Sequence, residues 1–346
     1  MNGTVQTVLG PISPESLGTV LIHEHLFLDL RDAWRLEPSN PEQIAITEAK
    51  VELSTLGRIR RDPLLCPDNL VLDDEATLLG ELQSFASVGG GTVVDVTCQG
   101  MGRDVDRVAR ISQSSGVHVV AATGHYVEPS HPPDLSDRSV ASLVNEYMQD
   151  IAAGIAGTEI KAGIIGEIGL SLPITPVQKR VLEAAVITQR ETGLALSIHP
   201  PWPRGAKWKV MSLLYGFGAH IDRVILAHCC LEHDTELLTS LADEGIVLSF
   251  DTFGHEHYRD VTGIPDPRDT QRITVLVELL KRGYSSSIVL SQDLACKIEC
   301  KAYGGWGLTH VDDHIVPVLR QNQVDETELT QMRKITPARL LARNGA

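Results

Sequence analysis

The sequence contains no long apolar run and comparatively few basic residues. No stretch of about eighteen apolar residues occurs, so no membrane-spanning helix is predicted. Thirty Lys and Arg residues stand against 45 Asp and Glu residues, giving a formal net charge of −15. Nucleic acids and anionic membranes are therefore not expected as partners, because both bind clustered positive charge.

Features of secreted proteins are also missing. Residues 1–18 have neither the basic segment nor the apolar segment of a signal peptide. The six cysteines include no C-x-x-C pair, and the adjacent Cys229 and Cys230 are poorly placed to bond to each other. We therefore expect a reduced, cytoplasmic protein.

Two common catalytic motifs are absent as well. The sequence has neither a G-x-S-x-G nucleophile elbow nor a Walker phosphate loop. The three consecutive glycines at 89–91 precede a predicted strand instead of opening a helix, which indicates a turn. The chemistry must therefore be sought in other residues.

What the sequence does contain is a set of eight short apolar runs rich in β-branched residues. Such runs are typical of strands buried on both faces, as in a parallel sheet. They cover residues 19–25, 91–97, 117–123, 162–167, 194–199, 223–228, 246–251 and 287–293.

Segments with a helical period lie between most of these runs, at 73–88, 136–155, 175–192, 235–243 and 270–282. This alternation predicts an α/β fold, a (β/α)8 TIM barrel. The first connection, residues 26–90, is too long for one βα unit and is expected to carry extra structure. Because neither a repeat nor a low-complexity linker occurs, a single domain over residues 1–346 is predicted.

Six residues with good metal-ligand side chains lie at or next to the carboxyl ends of five of these runs. They are His23, His25, Glu167, His199, His228 and Asp293. Strands of a parallel barrel would bring all six to one mouth, where barrel active sites lie. Four imidazoles and two carboxylates in one place are expected to hold two divalent metal ions.

Taken singly, these residues have simpler interpretations. His23 and His25 lie two apart on a strand and so face the same side, with Glu24 facing away, but such a pair also occurs as polar core residues. Each of the other four alone fits a satisfied core or loop residue. The combination favours metal; imidazole and carboxylate ligands suit zinc, and manganese, iron, cobalt or nickel would also fit.

Such a centre would supply a metal-bridging hydroxide to attack an electrophilic carbon or phosphorus. Asp293 is the catalytic candidate, because it can bind a metal, take the proton from the bridging water and pass it to the leaving group. The expected activity is hydrolysis of a small-molecule substrate.

The ordered motifs resemble the phosphotriesterase-like branch of the amidohydrolase superfamily. They are HEH at 23–25, GIIGEIG at 163–169, SIHP at 197–200, LAH at 226–228 and SQD at 291–293, supported by residues 3–25 and by YGGWGLTH at 303–310. The resemblance implies a binuclear metal site on a (β/α)8 barrel. It places His23, His25 and Asp293 on the buried metal and His199 and His228 on the exposed one.

One departure from the family pattern concerns the group that bridges the metals. Members that degrade organophosphates or acyl-homoserine lactones use a carboxylated lysine, whereas this chain has Glu167 there and Lys161 at the other end of the strand. Glu167 is therefore expected to bridge, as in the phosphotriesterase-related, or resiniferatoxin-binding-like, subgroup. The resemblance then favours a lactone, carboxylic ester or amide, such as an N-acetylated taurine, over fast phosphotriester turnover.

Candidate substrate contacts lie on loops that follow the strands. Tyr126 could contact the metal-bound oxygen, line the pocket, or simply pack. Trp202 and Arg204 could form an apolar wall and a clamp for a carboxylate or sulfonate, or lie on a solvated loop. Thr252 stands where many lactonase relatives carry arginine, which argues against a homoserine lactone.

Three further candidates follow the seventh and eighth strands. His255 and His257 repeat the H-x-H pattern in a loop broken by glycine, where we expect no third metal; His255 is retained as a substrate contact. Lys297 and Trp306 follow Asp293, and Trp306 is either a pocket wall or a cover on the barrel.

The sequence thus predicts a metal-dependent hydrolase of a carboxylic ester, lactone or amide. A phosphotriester or other phosphoric ester hydrolase is the alternative. A non-catalytic small-molecule binding protein is disfavoured, because all six ligands and the candidate base are present. The sequence leaves a homodimer open.

Overall fold

Eight parallel strands form a barrel in the computed structural model, which describes residues 3–201 and 206–343. Consecutive strands pair with each other, so the order in the sheet follows the order in the chain. The strands are β1 Thr19–Glu24, β2 Gly90–Asp95, β3 His118–Thr123, β4 Ile164–Gly169, β5 Leu196–His199, β6 Val224–Leu226, β7 Val247–Phe250 and β8 Ile288–Leu290. The predicted (β/α)8 fold is confirmed.

The apolar residues of the strands divide into two clusters. Val20, Ile22, Val120 and Val289 belong to a small cluster drawn from different strands, which fills the barrel interior. A larger cluster joins the outer faces of the strands to the surrounding helices. Burial on both faces explains why the runs are almost continuously apolar.

Polar contacts around Glu24 close the barrel between β8 and β1. The amide of Asp293 donates to the carbonyl of His23 at 3.2 Å, and the hydroxyl of Ser291 donates to Glu24 Oε1 at 2.7 Å. The amides of Gln292 and Leu294 each donate to the same carboxylate at 2.8 Å. The side chain that was predicted to face away from the histidines therefore holds the first and last strands together.

The longer helices that connect the barrel strands are α1 Glu75–Ser87, α2 Val105–Ser115, α3 Val140–Ala152, α4 Pro176–Thr192, α5 Lys207–Phe217, α6 Thr235–Asp243 and α7 Asp269–Lys281. Side-chain caps start several of them; Thr175, for example, forms a capping box with Gln178 at the start of α4. The sequence interpretation did not mark α2 and α5. Three more α-helices follow β8, at Val316–Gln321, Glu326–Thr330 and Thr336–Leu341.

The first connection carries the extra structure that its length predicted. A short antiparallel pair, Leu28–Asp29 with Val71–Leu72, encloses the helices Arg31–Trp34, Pro41–Thr47 and Leu56–Ile59. A second antiparallel pair, Val5–Thr7 with Gly10–Ile12, precedes β1. The extra structure between β1 and β2 brings Trp34 to the mouth of the barrel.

Short 3-10 and π turns complete the described elements. The 3-10 turns are Pro14–Leu17, Pro63–Leu65, Glu128–Ser130, Leu135–Asp137, Ile155–Gly157, Ile221–Arg223, Cys229–Leu231, Ser285–Ser287, Lys297–Glu299, Lys301–Tyr303 and Gly307–Thr309, and the π turns are Val311–Ile315 and Gln331–Ile335. All six cysteines are buried free thiols. Across residues 3–201 and 206–343, no helix has the length and apolarity needed to cross a membrane.

Candidate metal centre

The structure brings the six predicted ligands together at the carboxyl end of the barrel. We call His23, His25, Glu167, His199, His228 and Asp293 the six-residue cluster. Their side chains come from β1, β4 and β5 or from the residues directly after β1, β6 and β8. All are buried or nearly so, because the loops above the mouth cover them.

Glu167 lies at the middle of the cluster, with its two oxygens directed to different histidines. Oε1 lies 3.4 Å from His25 Nε2, whereas Oε2 lies 3.2 Å from His199 Nδ1, 3.6 Å from His23 Nε2 and 3.8 Å from His228 Nε2. Gly166 before it has φ +95°, and a Cβ there would lie 2.1 Å from the carbonyl oxygen of Ser197. Only glycine therefore fits this approach to β5, which sets the position of Glu167.

Asp293 faces the same histidines from the other side. Its Oδ1 lies 3.6 Å from His23 Nε2 and 3.4 Å from His25 Nε2, and its Oδ2 lies 4.0 Å from His228 Nδ1. Both Asp293 and His228 have φ +56°, the left-handed conformation that non-glycine residues rarely adopt. Such backbone conformations concentrate at functional sites.

The donor set fits divalent metal. Within the described part of the chain, neither ring nitrogen of His23 nor Glu167 Oε2 has a hydrogen-bond partner, although all three atoms are buried. Leaving buried polar atoms unpaired is costly, and a cation would satisfy them. Three overlapping triads place their ligand atoms within 4.8 Å of one another: His23–His25–Glu167, Glu167–His199–His228 and His23–His228–Asp293.

The charges of the cluster also call for a cation. Burial raises the pKa of Glu167 and of Asp293, but neighbouring histidines outweigh it and hold both pKa values well below their usual range. Burial opposes protonation of His25, whereas Asp293 and Glu167 raise its pKa to about 10. The carboxylates are thus anionic at neutral pH and draw positive charge into a buried space, which metal ions would supply.

Two residues that the sequence interpretation missed orient the histidines. Asp251 Oδ1 lies 3.0 Å from His228 Nδ1, and both of its oxygens accept from the backbone amide of His228. Thr97 Oγ1 lies 2.9 Å from His25 Nδ1. Partners on the second nitrogen of a histidine fix its ring for metal binding. A signal for Asp251 existed, because it closes the seventh apolar run as the ligands close theirs.

Tyr126 lies beside the cluster and lines the cavity in front of it. Its hydroxyl lies 3.2 Å from His199 Nδ1 and accepts a hydrogen bond from Trp34 Nε1 at 2.9 Å. The Trp34 ring also lies 5.7 Å from the His199 ring. Trp34 was missed because it belongs to the first connection, whose path does not follow from strand pattern.

The other substrate candidates lie in different places. His255 lines the cavity in front of the cluster, with Nε2 3.0 Å from the carbonyl oxygen of Asp293. Lys297 instead pairs with Asp68 at 3.1 Å and is not among the described residues that line this cavity. Trp306 is 64 % exposed and lines a smaller neighbouring cavity. Trp202 and Arg204 lie outside the described residues.

The main cavity, as we call the space in front of the cluster, has a volume of about 330 Å³. This is a size suited to a small molecule. Its walls are largely apolar, and the cations Lys207 and Arg259 also face it. Lys207 is buried, with Nζ 4.0 Å from Glu232, and Arg259 pairs with Asp266 at 3.1 Å.

The fold and the site together define a hydrolase built on a TIM barrel. The profile of the Phosphotriesterase family matches residues 3–341. The chain belongs to the Phosphotriesterase family, which confirms the resemblance seen in the sequence.

Individual relatives cover almost the whole chain. It is 33 % identical to the N-acetyltaurine hydrolase of Salmo salar, over 99 % of this chain and 98 % of that protein. It is 31 % identical to the phosphotriesterase-related protein of Nematostella vectensis, over 97 % of each. A crystal structure of a resiniferatoxin-binding protein from Rhodobacter sphaeroides superposes with a TM-score of 0.95 at 34 % identity, covering 98 % of this chain and 95 % of that one.

Proposed function

We propose that this chain is a binuclear metal-dependent hydrolase that cleaves a carboxylic ester, lactone or amide bond of a small molecule. The observation that carries the proposal is the position of Glu167, whose carboxylate lies within 3.8 Å of a ring nitrogen of each of the four histidines, Oε1 near His25 and Oε2 near His23, His199 and His228. His23, His25 and Asp293 would hold one ion, His199 and His228 the other, and Glu167 would be shared. Zinc is the first choice, and manganese, iron, cobalt or nickel would also fit.

Two bound divalent ions would supply an activated water and would polarise the carbonyl group whose carbon is attacked. The residues of the chain then manage orientation and protons. Asp293 is anionic and faces His23, His25 and His228, so it is placed to accept a proton and return it to the leaving group. Asp251 and Thr97 hold the rings of His228 and His25 at their far nitrogens.

Among the three bond types, the amide of a small anionic amine is the first to test. Relatives named N-acetyltaurine hydrolase match this chain over nearly its full length, and that substrate joins an acetamide to a sulfonate. The main cavity supports this choice, because Lys207 and Arg259 line it and are the cations placed to meet a sulfonate there, although Asp266 and Glu299 line it as well. Thr252 lines the same cavity and offers no cation at that position.

A panel of substrates tests the proposal on metal-loaded protein. N-acetyltaurine, N-acetyl amino acids, lactones, aryl esters and paraoxon would be compared by kcat/KM, each with and without a chelator. We expect the highest value for an anionic N-acyl amide and loss of turnover with the chelator. Highest activity on paraoxon would establish the phosphoric ester alternative, and binding without turnover would establish a non-catalytic binding protein.

A further inference from the structure

A second group of metal-ligand side chains lies outside the six-residue cluster. His255 and His257 come from the loop after β7, and Glu299 from the loop after β8. From the sequence no third metal was expected here, because this H-x-H pattern lies in a loop broken by glycine. Folding supplies Glu299, whose Oε1 lies 3.1 Å from His255 Nε2 and 3.7 Å from His257 Nε2.

These separations are those of ligands around one ion. Nitrogen and oxygen ligands of a tetrahedral zinc ion lie about 3.3 Å to 3.5 Å from one another, given metal–ligand bonds of about 2.0 Å to 2.2 Å. The two separations from Glu299, 3.1 Å and 3.7 Å, lie on either side of that range. They also match those from Glu167 to its histidines in the six-residue cluster, which run from 3.2 Å to 3.8 Å.

A ring nitrogen of this group is buried and available to bind an ion. His257 Nε2 is buried and, among the described residues, has no hydrogen-bond partner. Glu299 Oε2 accepts from the amides of Ala295 and Cys296 at 2.7 Å and 2.8 Å, which fixes the carboxylate and leaves Oε1 toward the histidines.

A simple ion pair explains only part of this arrangement. Protonated His255 could donate to Glu299 and to the carbonyl oxygen of Asp293, which lies 3.0 Å from the same nitrogen. That pairing gives His257 no role and leaves its buried nitrogen unsatisfied. An ion bound by all three side chains would give each of their ligand atoms a partner.

We propose that His255, His257 and Glu299 form a third divalent-cation site, which takes a transition metal of the zinc type. Two imidazoles and one carboxylate suit zinc, cobalt or nickel better than magnesium or calcium, which prefer oxygen. Three protein ligands leave one position of a tetrahedral ion open. All three residues line both the main cavity and the smaller neighbouring cavity, so the site lies where the two cavities adjoin. The site uses none of the six residues of the proposed catalytic centre.

Anomalous diffraction locates the ion directly. Crystals of the full chain grown with Zn²⁺ or Co²⁺ would be measured above and below the metal absorption edge. We expect an anomalous peak between His255, His257 and Glu299 that disappears in His257→Ala. Absence of that peak in the wild-type protein would overturn the proposal, whatever the occupancy of the six-residue cluster.

Metal stoichiometry in solution gives a second test. Metal-loaded wild-type protein should retain one ion per chain more than His257→Ala after gel filtration. His118→Ala is the matched control, because His118 is a half-buried histidine at the amino end of β3, the opposite end of the barrel. A melting temperature near that of the wild type would establish that His257→Ala folds, and His257→Gln replaces it if it does not. Equal metal content in the wild type and in the folded variant would contradict the site.

Discussion

At the scale of single residues, the centre depends on side chains that each satisfy several partners. Glu167 serves both sets of histidines, and Asp293 serves three histidines while its backbone adopts a left-handed conformation. Asp251 fixes the ring of His228 without being one of the proposed ligands. Substitutions that keep the size of a side chain and remove its charge therefore distinguish metal binding, proton transfer and orientation of a histidine ring.

Glu167→Gln should weaken metal binding and turnover together, because an amide supplies one weak ligand oxygen where the carboxylate supplies two. Metal content by elemental analysis and kcat on the best substrate are the measurements. Reconstitution of the wild type should not depend on bicarbonate, since Glu167 needs no carbon dioxide. A bicarbonate requirement would instead indicate a modified lysine at the centre.

Asp293→Asn should lower kcat by about a hundred-fold to ten-thousand-fold, the usual worth of general acid–base catalysis. The amide oxygen can still coordinate, so at least one metal should remain. Substrates with very good leaving groups should lose much less, since they depart without a proton. Near wild-type kcat on a poor leaving group, with metals bound, would show that Asp293 acts only as a ligand.

Asp251→Asn should lower metal affinity by about ten-fold to a hundred-fold, because the partner that orients His228 loses its charge. A competition titration with a chromogenic chelator measures the affinity. Asp106→Asn, which changes an exposed aspartate on α2, is the matched control. Equal affinity in the two variants would remove Asp251 from the metal-binding apparatus.

At the scale of elements, helix α7 anchors the loop that carries His255 and His257. Asp269 begins α7; its oxygens accept from the amide of Gly254, from Arg272 at 2.9 Å and from His310 at 2.6 Å. Burial raises the pKa of Asp269, but the hydrogen bond from His310 and the charge of Arg272 prevail and lower it. One carboxylate thus links the loop after β7 to α7 and to the loop after β8.

The lowered pKa of Asp269 predicts a pH-dependent contribution to stability. A carboxyl with a lower pKa in the folded state stabilises above its unfolded pKa of about 3.9, and this stabilisation is lost as pH falls through the folded value. Asp269→Asn should therefore destabilise at pH 7, by about 1 to 3 kcal/mol, with a shrinking difference below about pH 4. Chemical unfolding of the wild type and of Asp269→Asn, at pH 7 and again below about pH 4, measures the difference in free energy of unfolding. A difference that does not change with pH would contradict the prediction.

At the scale of the whole molecule, we expect metal binding and folding to be coupled. Removing the ions leaves the carboxylates of Glu167, Asp251 and Asp293 together in a buried space, with only protonated histidines to balance them. An ion that binds only the folded state stabilises it by about 2.7 kcal/mol when present at a hundred times its Kd. Metal-free protein should therefore melt at a lower temperature than metal-loaded protein, and added Zn²⁺ should restore the higher melting temperature. An unchanged melting temperature would indicate that the folded chain does not bind the ion preferentially.

Local pattern was enough to predict the barrel and the convergence of its ligands. Buried parallel strands read as apolar runs, and the carboxyl ends of neighbouring strands must meet at one edge. His23, His199 and Asp293 could therefore be grouped although they are far apart in the chain. The helices α2 and α5 were not marked in the sequence, although each lies between two consecutive strand runs.

Contacts made through loops were decided only by tertiary structure. Trp34 reaches Tyr126, Glu299 joins His255 and His257, and Lys297 turns to Asp68 because of how the connections pack, not because of a repeating period. Strand ends have a position set by the sheet, so their residues can be placed from sequence. A loop has no such periodic constraint, since its path depends on which side chains it buries against the rest of the molecule.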